Sequence, residues 1–124
     1  MYIYYNPNPQ GKVTGDCVIR AICKALDADW LTVYLSLCIE GAKHADWGNT
    51  NSIWAQYLRE RGFQRASIPN TCPDCYTVRD FTTDHPQGTY IVATGTHAVC
   101  VKDGNIYDTW DSSDEVPMYY FKEG

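Results

Sequence analysis

His97-Ala98-Val99-Cys100-Val101-Lys102-Asp103-Gly104-Asn105-Ile106-Tyr107-Asp108-Thr109-Trp110 reads as two strands joined by a tight reverse turn. Asp-Gly suits a two-residue hairpin turn, because both central residues of that turn take positive φ. Lys102 then faces Asn105, Val101 faces Ile106, Val99 faces Asp108 and His97 faces Trp110. Side chains alternate along a strand, so His97, Val99 and Val101 share one face with Ile106, Asp108 and Trp110. An imidazole and a carboxylate become diagonal neighbours, and Asp111 falls on the opposite face.

Working outward, Thr89-Tyr90-Ile91-Val92-Ala93 is β-rich and Thr94-Gly95 turns it into the ribbon, giving an antiparallel meander. The upstream half reads as helices. Thr14 or Asp16 caps a helix over about 16–27, whose stripe is Val18, Ile19, Ile22, Cys23 and Leu26. A second helix, about 29–40, presents Trp30, Val33, Tyr34, Leu37 and Cys38 and ends at Gly41. A third, about 51–61, presents Ile53, Trp54, Tyr57 and Leu58 and stops at Gly62. A short aromatic strand at 2–5, a strand at 63–69 and a short helix at 76–84 complete the reading. Helices first and strands afterwards predict one α+β domain over 1–124, with N-terminal helices packed on a C-terminal antiparallel β-sheet.

Composition narrows the function. The chain has 124 residues, 44% hydrophobic, with ten Tyr and four Trp, which supports one real core. Its net charge is -5, and its basic cluster, Arg59, Arg61 and Arg65, belongs to a helix face and end. A nucleic-acid partner is therefore not expected. The N-terminus has no basic region followed by an apolar run, and no stretch reaches the roughly twenty apolar residues of a membrane helix. The expectation is a cytoplasmic protein with no membrane partner.

The chemistry sits in three residues. Cys17 opens a helix, where unsatisfied backbone N–H groups favour a thiolate, and Gly15 lets the chain turn tightly ahead of it. His97 starts a strand directly after Gly95-Thr96. Asp108 is placed to fix the imidazole tautomer and stabilise an imidazolium. Each has a plainer reading: a half-buried helix cysteine, a structural strand-start histidine, a solvated strand-end acid. Their convergence is what turns them into a site.

Gly15-Asp16-Cys17 opening a helix, then Thr96-His97-Ala98-Val99, then Asp108-Thr109-Trp110, resembles the papain-like cysteine peptidases. Those have a helix-start Cys, a His followed by small and apolar strand residues, and an Asn or Asp often followed by Ser-Trp. The layout also looks like the bacteriocin-processing branch, where the third residue is Asp, and like small uncharacterised phage and bacterial proteins. The resemblance covers most of the chain in order and about a dozen residues in motif. It implies a thiol hydrolase acting on a peptide, isopeptide or other amide through Cys17, His97 and Asp108, with a peptide or protein substrate and no cofactor. Family members carry a Gln about six positions before the Cys as an oxyanion donor. Here Gly11 stands at that position, Gln10 is one further back, and Val18 follows the Cys. Gln10 is the expected donor, with Asn8 or Asn6 as substitutes and the backbone N–H of Cys17 beside it.

Two other readings stand beside the hydrolase. The same scaffold could serve as a non-catalytic binding module that inhibits or sequesters a partner. Cys72-Pro73-Asp74-Cys75 is a lone C-x-x-C, open to a structural turn, a zinc site or a redox or disulfide pair; His44, His85, Cys23 or Cys38 would have to complete a metal site. Free thiols are the default expectation for all six cysteines, since a disulfide framework presumes secretion.

Overall fold

The computed structural model describes residues 1–124. The Asp103-Gly104 turn forms as its sequence demands, with φ of 50° and 78°. It joins β4 (Ala98–Lys102) to β5 (Asn105–Asp108), with Val101 opposite Ile106 and Lys102 opposite Asn105. Helices α1 (Cys17–Leu26), α2 (Trp30–Lys43), α3 (Asn51–Glu60) and α4 (Val78–Asp84) join β1 (Tyr2–Tyr4), β2 (Phe63–Ser67), β3 (Thr89–Ala93) and β6 (Tyr119–Glu123) in one α+β arrangement.

The six strands form a single sheet in the order β1-β5-β4-β3-β6-β2. It is mixed, not antiparallel as expected: β1 runs parallel to β5, pairing Tyr2 with Ile106 and Tyr4 with Asp108. All four helices and three strands separate β1 from β5 in the chain, a connection long enough for the two to lie side by side in the same direction, which a hairpin does not allow. Strand β6, which the sequence reading passes over, inserts between β3 and β2 and pairs antiparallel with both.

Alternation along the strands builds two cores. Ile91, Ala93, Ala98, Cys100 and Phe121 pack against Ile22, Val33, Leu37, Trp54 and Leu58 of the first three helices. Tyr90, Val92, Val99, Val101 and Ile106 cover the opposite face with Val78 and Phe81 of α4. The buried side of α1 is Ala21, Ile22, Cys23 and Ala25, whereas Val18, Ile19 and Leu26 are only partly covered. Small residues on α1 and at Ala93 and Ala98 let the helix lie close to the strands. Helix α4 starts at a capping box in which Thr77 and Asp80 exchange bonds.

Gly41 does not end α2. The helix continues to Lys43, and a Cβ at Gly41 would stand 2.5 Å from the Asp46 carbonyl oxygen. A Cβ at Gly48 would stand 2.7 Å from the Leu37 carbonyl oxygen. These glycines let the 44–50 loop lie directly on α2, which carries Trp47 to the mouth of the cleft described below. No helix is long and apolar enough to cross a membrane.

Candidate active site

Three elements meet at one end of the sheet. Cys17 is the first residue of α1, His97 directly precedes β4, and Asp108 ends β5. The backbone of His97 is fixed by Thr94: its N–H donates to Thr94 Oγ1 at 3.0 Å, and its carbonyl accepts from the Thr94 N–H at 2.8 Å. Asp108 is held from the other side by β1, where the Tyr5 N–H donates to its carbonyl at 2.8 Å.

The side chains converge. His97 Nε2 meets Asp108 Oδ2 at 2.7 Å, and the imidazole and the Cys17 thiol line the same cavity, close enough for each to shift the other's titration. With Nε2 occupied by the acid, Nδ1 is the nitrogen left for sulfur. Trp110 packs on the His97 ring, centroids 4.9 Å apart, and shields the imidazole–carboxylate bond from water.

Asp108 is fully buried, so its charge must be met inside the protein. Oδ2 accepts from His97 and from Ser112 Oγ at 2.7 Å. Oδ1 accepts from Arg20 Nη2 at 2.9 Å and from the Thr109 N–H at 2.8 Å. Arg20, itself buried, gives its other arm to Asp16 Oδ1 at 2.7 Å, and Asp16 Oδ2 takes the Trp30 indole N–H at 2.9 Å. Asp16 is the N-cap residue of α1 by position, yet its side chain makes no cap bond. Its carboxylate is drawn to Arg20 and Trp30, and the N–H of Cys17 has no backbone acceptor.

Electrostatics follow from these contacts. Burial opposes charge on the Cys17 thiol, but hydrogen bonds from His97 and the Ala98 backbone, with the charges of His97 and Arg20, bring it below the ordinary thiol value. Burial likewise disfavours the imidazolium, and Asp108 and Cys17 outweigh it, lifting His97 to about 9. For Asp108, burial pushes upward, and the bonds from His97 and Ser112 win, leaving it lowered. The other free thiols contrast: Cys23 and Cys100 are buried, and burial pushes each up to about 12. Both shifts run toward a thiolate–imidazolium pair, the starting state for nucleophilic attack by sulfur.

Cys17 and His97 open onto a cavity of about 620 Å³. One wall is aromatic and apolar, with Trp30, Tyr34, Leu37, Trp47 and Trp54; the other is the Thr94–Thr96 turn. Among the lining residues no Lys, Arg or Glu occurs, and the sole carboxylate, Asp16, is already committed to Arg20 and Trp30.

Gln10 is not brought to this cleft. It is exposed and absent from the lining. Its loop folds on itself: Asn8 Oδ1 accepts from the Gln10 and Lys12 N–H groups, and Asn6 Oδ1 accepts from the Asn8 N–H. Those bonds also keep Asn6 and Asn8 engaged locally. Cys72 and Cys75 are joined to each other, contrary to the free-thiol expectation, with Cα atoms 4.1 Å apart. Asn70 and Thr71 tighten that turn, Asn70 Oδ1 accepting from the Cys72 N–H and Thr71 Oγ1 donating to the Asp74 carbonyl. No group of three metal-ligating side chains gathers there or elsewhere.

Sequence reasoning missed Arg20 and Ser112 as partners of Asp108. Arg20 had a readable signal, an Asp and an Arg spaced i, i+4 on a helix whose neighbouring positions are apolar; Ser112 had none. No family model matches the chain, and neither any curated protein nor any solved structure is similar enough to match it.

Proposed function

We propose that this chain is a small thiol hydrolase of the papain-like kind, cleaving an amide bond through an acyl-enzyme on Cys17. The observation that carries the reading is the 2.7 Å bond from His97 to a fully buried Asp108, made by an imidazole that shares its cavity with the thiol at the start of α1. The thiolate adds to the carbonyl carbon, and the C=O electron pair moves onto oxygen. The Cys17 N–H, free of a backbone acceptor, donates to that oxyanion. The imidazolium gives its proton to the leaving nitrogen as the C–N bond breaks, and an amine departs from a thioester. Water then attacks, His97 takes its proton, and collapse releases the acid and the thiolate.

The cleft supports a substrate class. A charged side chain entering it would lose water and find no uncommitted opposite charge, whereas an aromatic or large aliphatic one would bury against Trp30, Trp47 and Trp54. The substrate in this reading is a peptide or protein with an uncharged, bulky side chain beside the scissile bond.

A panel of fluorogenic peptide amides tests the proposal. Turnover of an aromatic-bearing member, lost in Cys17→Ala and in His97→Ala with circular dichroism unchanged, is the expected result. The position of Gln10 outside the cleft favours one rival, a binding module on the same scaffold. A pull-down in which Cys17→Ala keeps a partner, from a protein that turns over no amide, selects the rival.

A further inference from the structure

One cluster is left over by this chemistry: a buried chain of groups running from Trp30 through Asp16 and Arg20 to Asp108. We propose that Arg20 is a positioning residue of the site, a clamp that ties the first turn of α1 to Asp108 and sets a fixed positive charge beside Cys17, so that the nucleophile and the acid behind His97 act as one unit. The inference rests on the reading of Cys17, His97 and Asp108 as the reacting groups.

The geometry is that of a two-armed brace. Arg20 Nη1 bonds Asp16 Oδ1 at 2.7 Å, four residues back on the same helix, and Nη2 bonds Asp108 Oδ1 at 2.9 Å, 88 positions along the chain. All three side chains are nearly or wholly removed from solvent, with exposures of 4%, 4% and 0% for Arg20, Asp16 and Asp108. A forked, planar guanidinium can meet two carboxylates at fixed angles, whereas a lysine would supply the charge without the fork. Asp16 immediately precedes Cys17, so the brace acts on the residue next to the sulfur. Trp30 fixes the far oxygen of Asp16 and adds α2 to the assembly.

The brace also decides how Asp108 meets His97. Arg20 and the Thr109 N–H both donate to Oδ1, so Oδ2 is the oxygen left for the imidazole and Ser112. A carboxylate gripped on one oxygen cannot rotate away from the ring. The charged and titratable groups facing this cluster are Asp16 and Cys17 on α1, His97 ahead of β4, Asp108 on β5 and Tyr2 on β1, whose hydroxyl donates to the Asp108 carbonyl at 3.3 Å. Two carboxylates and one guanidinium leave a net negative charge, which the His97 imidazolium balances. Removing Arg20 withdraws the one permanent cation beside the thiolate; removing the Asp16 charge leaves that cation less neutralised.

The test reads Cys17 directly and needs no substrate. Iodoacetamide alkylation of the full chain is followed by peptide mass mapping between about pH 4 and 10, in wild type, His97→Ala, Arg20→Gln, Arg20→Lys and Asp16→Asn. A clamp that acts by charge and position predicts opposite signs. The Cys17 midpoint rises by about one pH unit in Arg20→Gln and falls in Asp16→Asn, while Arg20→Lys, which keeps the charge, stays nearer wild type than Arg20→Gln does. A brace that only holds the fold together predicts the same direction in all three, toward an ordinary thiol, and that result overturns the proposal. Should Arg20→Gln fail to fold, the opposed shifts of Asp16→Asn and Arg20→Lys decide, and an Asp16→Asn midpoint at or above wild type overturns it. His97→Ala separates the two levels: a midpoint equal to wild type removes the hydrolase reading and this one together. A shifted His97→Ala beside an unshifted, folded Arg20→Gln removes this one alone.

Discussion

Replacing Asp108 by Asn is a demanding perturbation, because the two groups have nearly the same shape and differ in which end can accept a hydrogen bond. Oδ1 faces two donors that cannot reverse, the Arg20 guanidinium at 2.9 Å and the Thr109 N–H at 2.8 Å. The amide oxygen of an Asn must therefore take that side, and its NH₂ is forced toward His97 and Ser112. Ser112 can turn its hydroxyl to accept. His97 can accept at Nε2 only by moving its proton to Nδ1, and Nδ1 then cannot take the proton of Cys17. The imidazolium that Asp108 and Cys17 together hold to about 9 loses its counter-charge at the same time. An ordinary thiol with a pKa of about 8.5 is roughly 1% ionised two units lower, which sets a ceiling of about a hundredfold on what a lowered thiol gains there. Asp108→Asn should slow Cys17 alkylation near pH 6.5, by at most that factor, because it removes the support for the lowered thiol, and peptide turnover should fall by about 10³–10⁴, the scale of a wrong-tautomer histidine. Stopped alkylation with mass mapping, alongside circular dichroism, reads the first quantity. A folded Asp108→Asn with the wild-type alkylation profile refutes the tautomer argument and the assignment of Oδ1.

Turnover should follow a bell in pH. The acid limb lies below the ordinary thiol range because the Cys17 thiolate is favoured, and activity disappears as pH rises through about 9, where His97 gives up the proton needed by the leaving amine; a kcat/KM profile checks both limbs. Gly48→Ala should destabilise the chain by about 1–3 kcal/mol and shift Trp47, since the new Cβ meets the Leu37 carbonyl at 2.7 Å; urea unfolding and Trp fluorescence report the two effects. Trp54→Ala, at 2% exposure between the helices and Phe121, should cost about 3–5 kcal/mol, read as a lower urea midpoint.

What was legible in the sequence was local. Asp103-Gly104 dictates its own turn, and a turn of fixed length dictates register, so the approach of His97 to Asp108 could be computed from residue numbers alone. Strand β6 was not legible because Tyr119, Tyr120 and Phe121 pack against both cores, which leaves no polar alternation to read. Gly41 misled for a related reason. A glycine near a helix end suggests termination, but this one is required by a backbone crossing that only tertiary structure contains. Gln10 rested on the resemblance, one position off the family's spacing, and the Asn-rich loop around it spends its hydrogen bonds on itself. Arg20 was written in the i, i+4 pattern but belongs to a pair 88 positions apart, a separation no local rule spans.

The parallel pairing of β1 with β5 has a temporal meaning. The residues that back Asp108 leave the ribosome about a hundred positions ahead of their partners at Ile106, Tyr107 and Asp108. Strand β6, which completes the middle of the sheet, emerges after both. Helix α1 can form while the chain is being made, but its sulfur has no imidazole or buried acid beside it until β4 and β5 have followed. A nascent chain therefore carries a dormant thiol, and reactivity arrives only once His97 and Asp108 have been made and the sheet has closed.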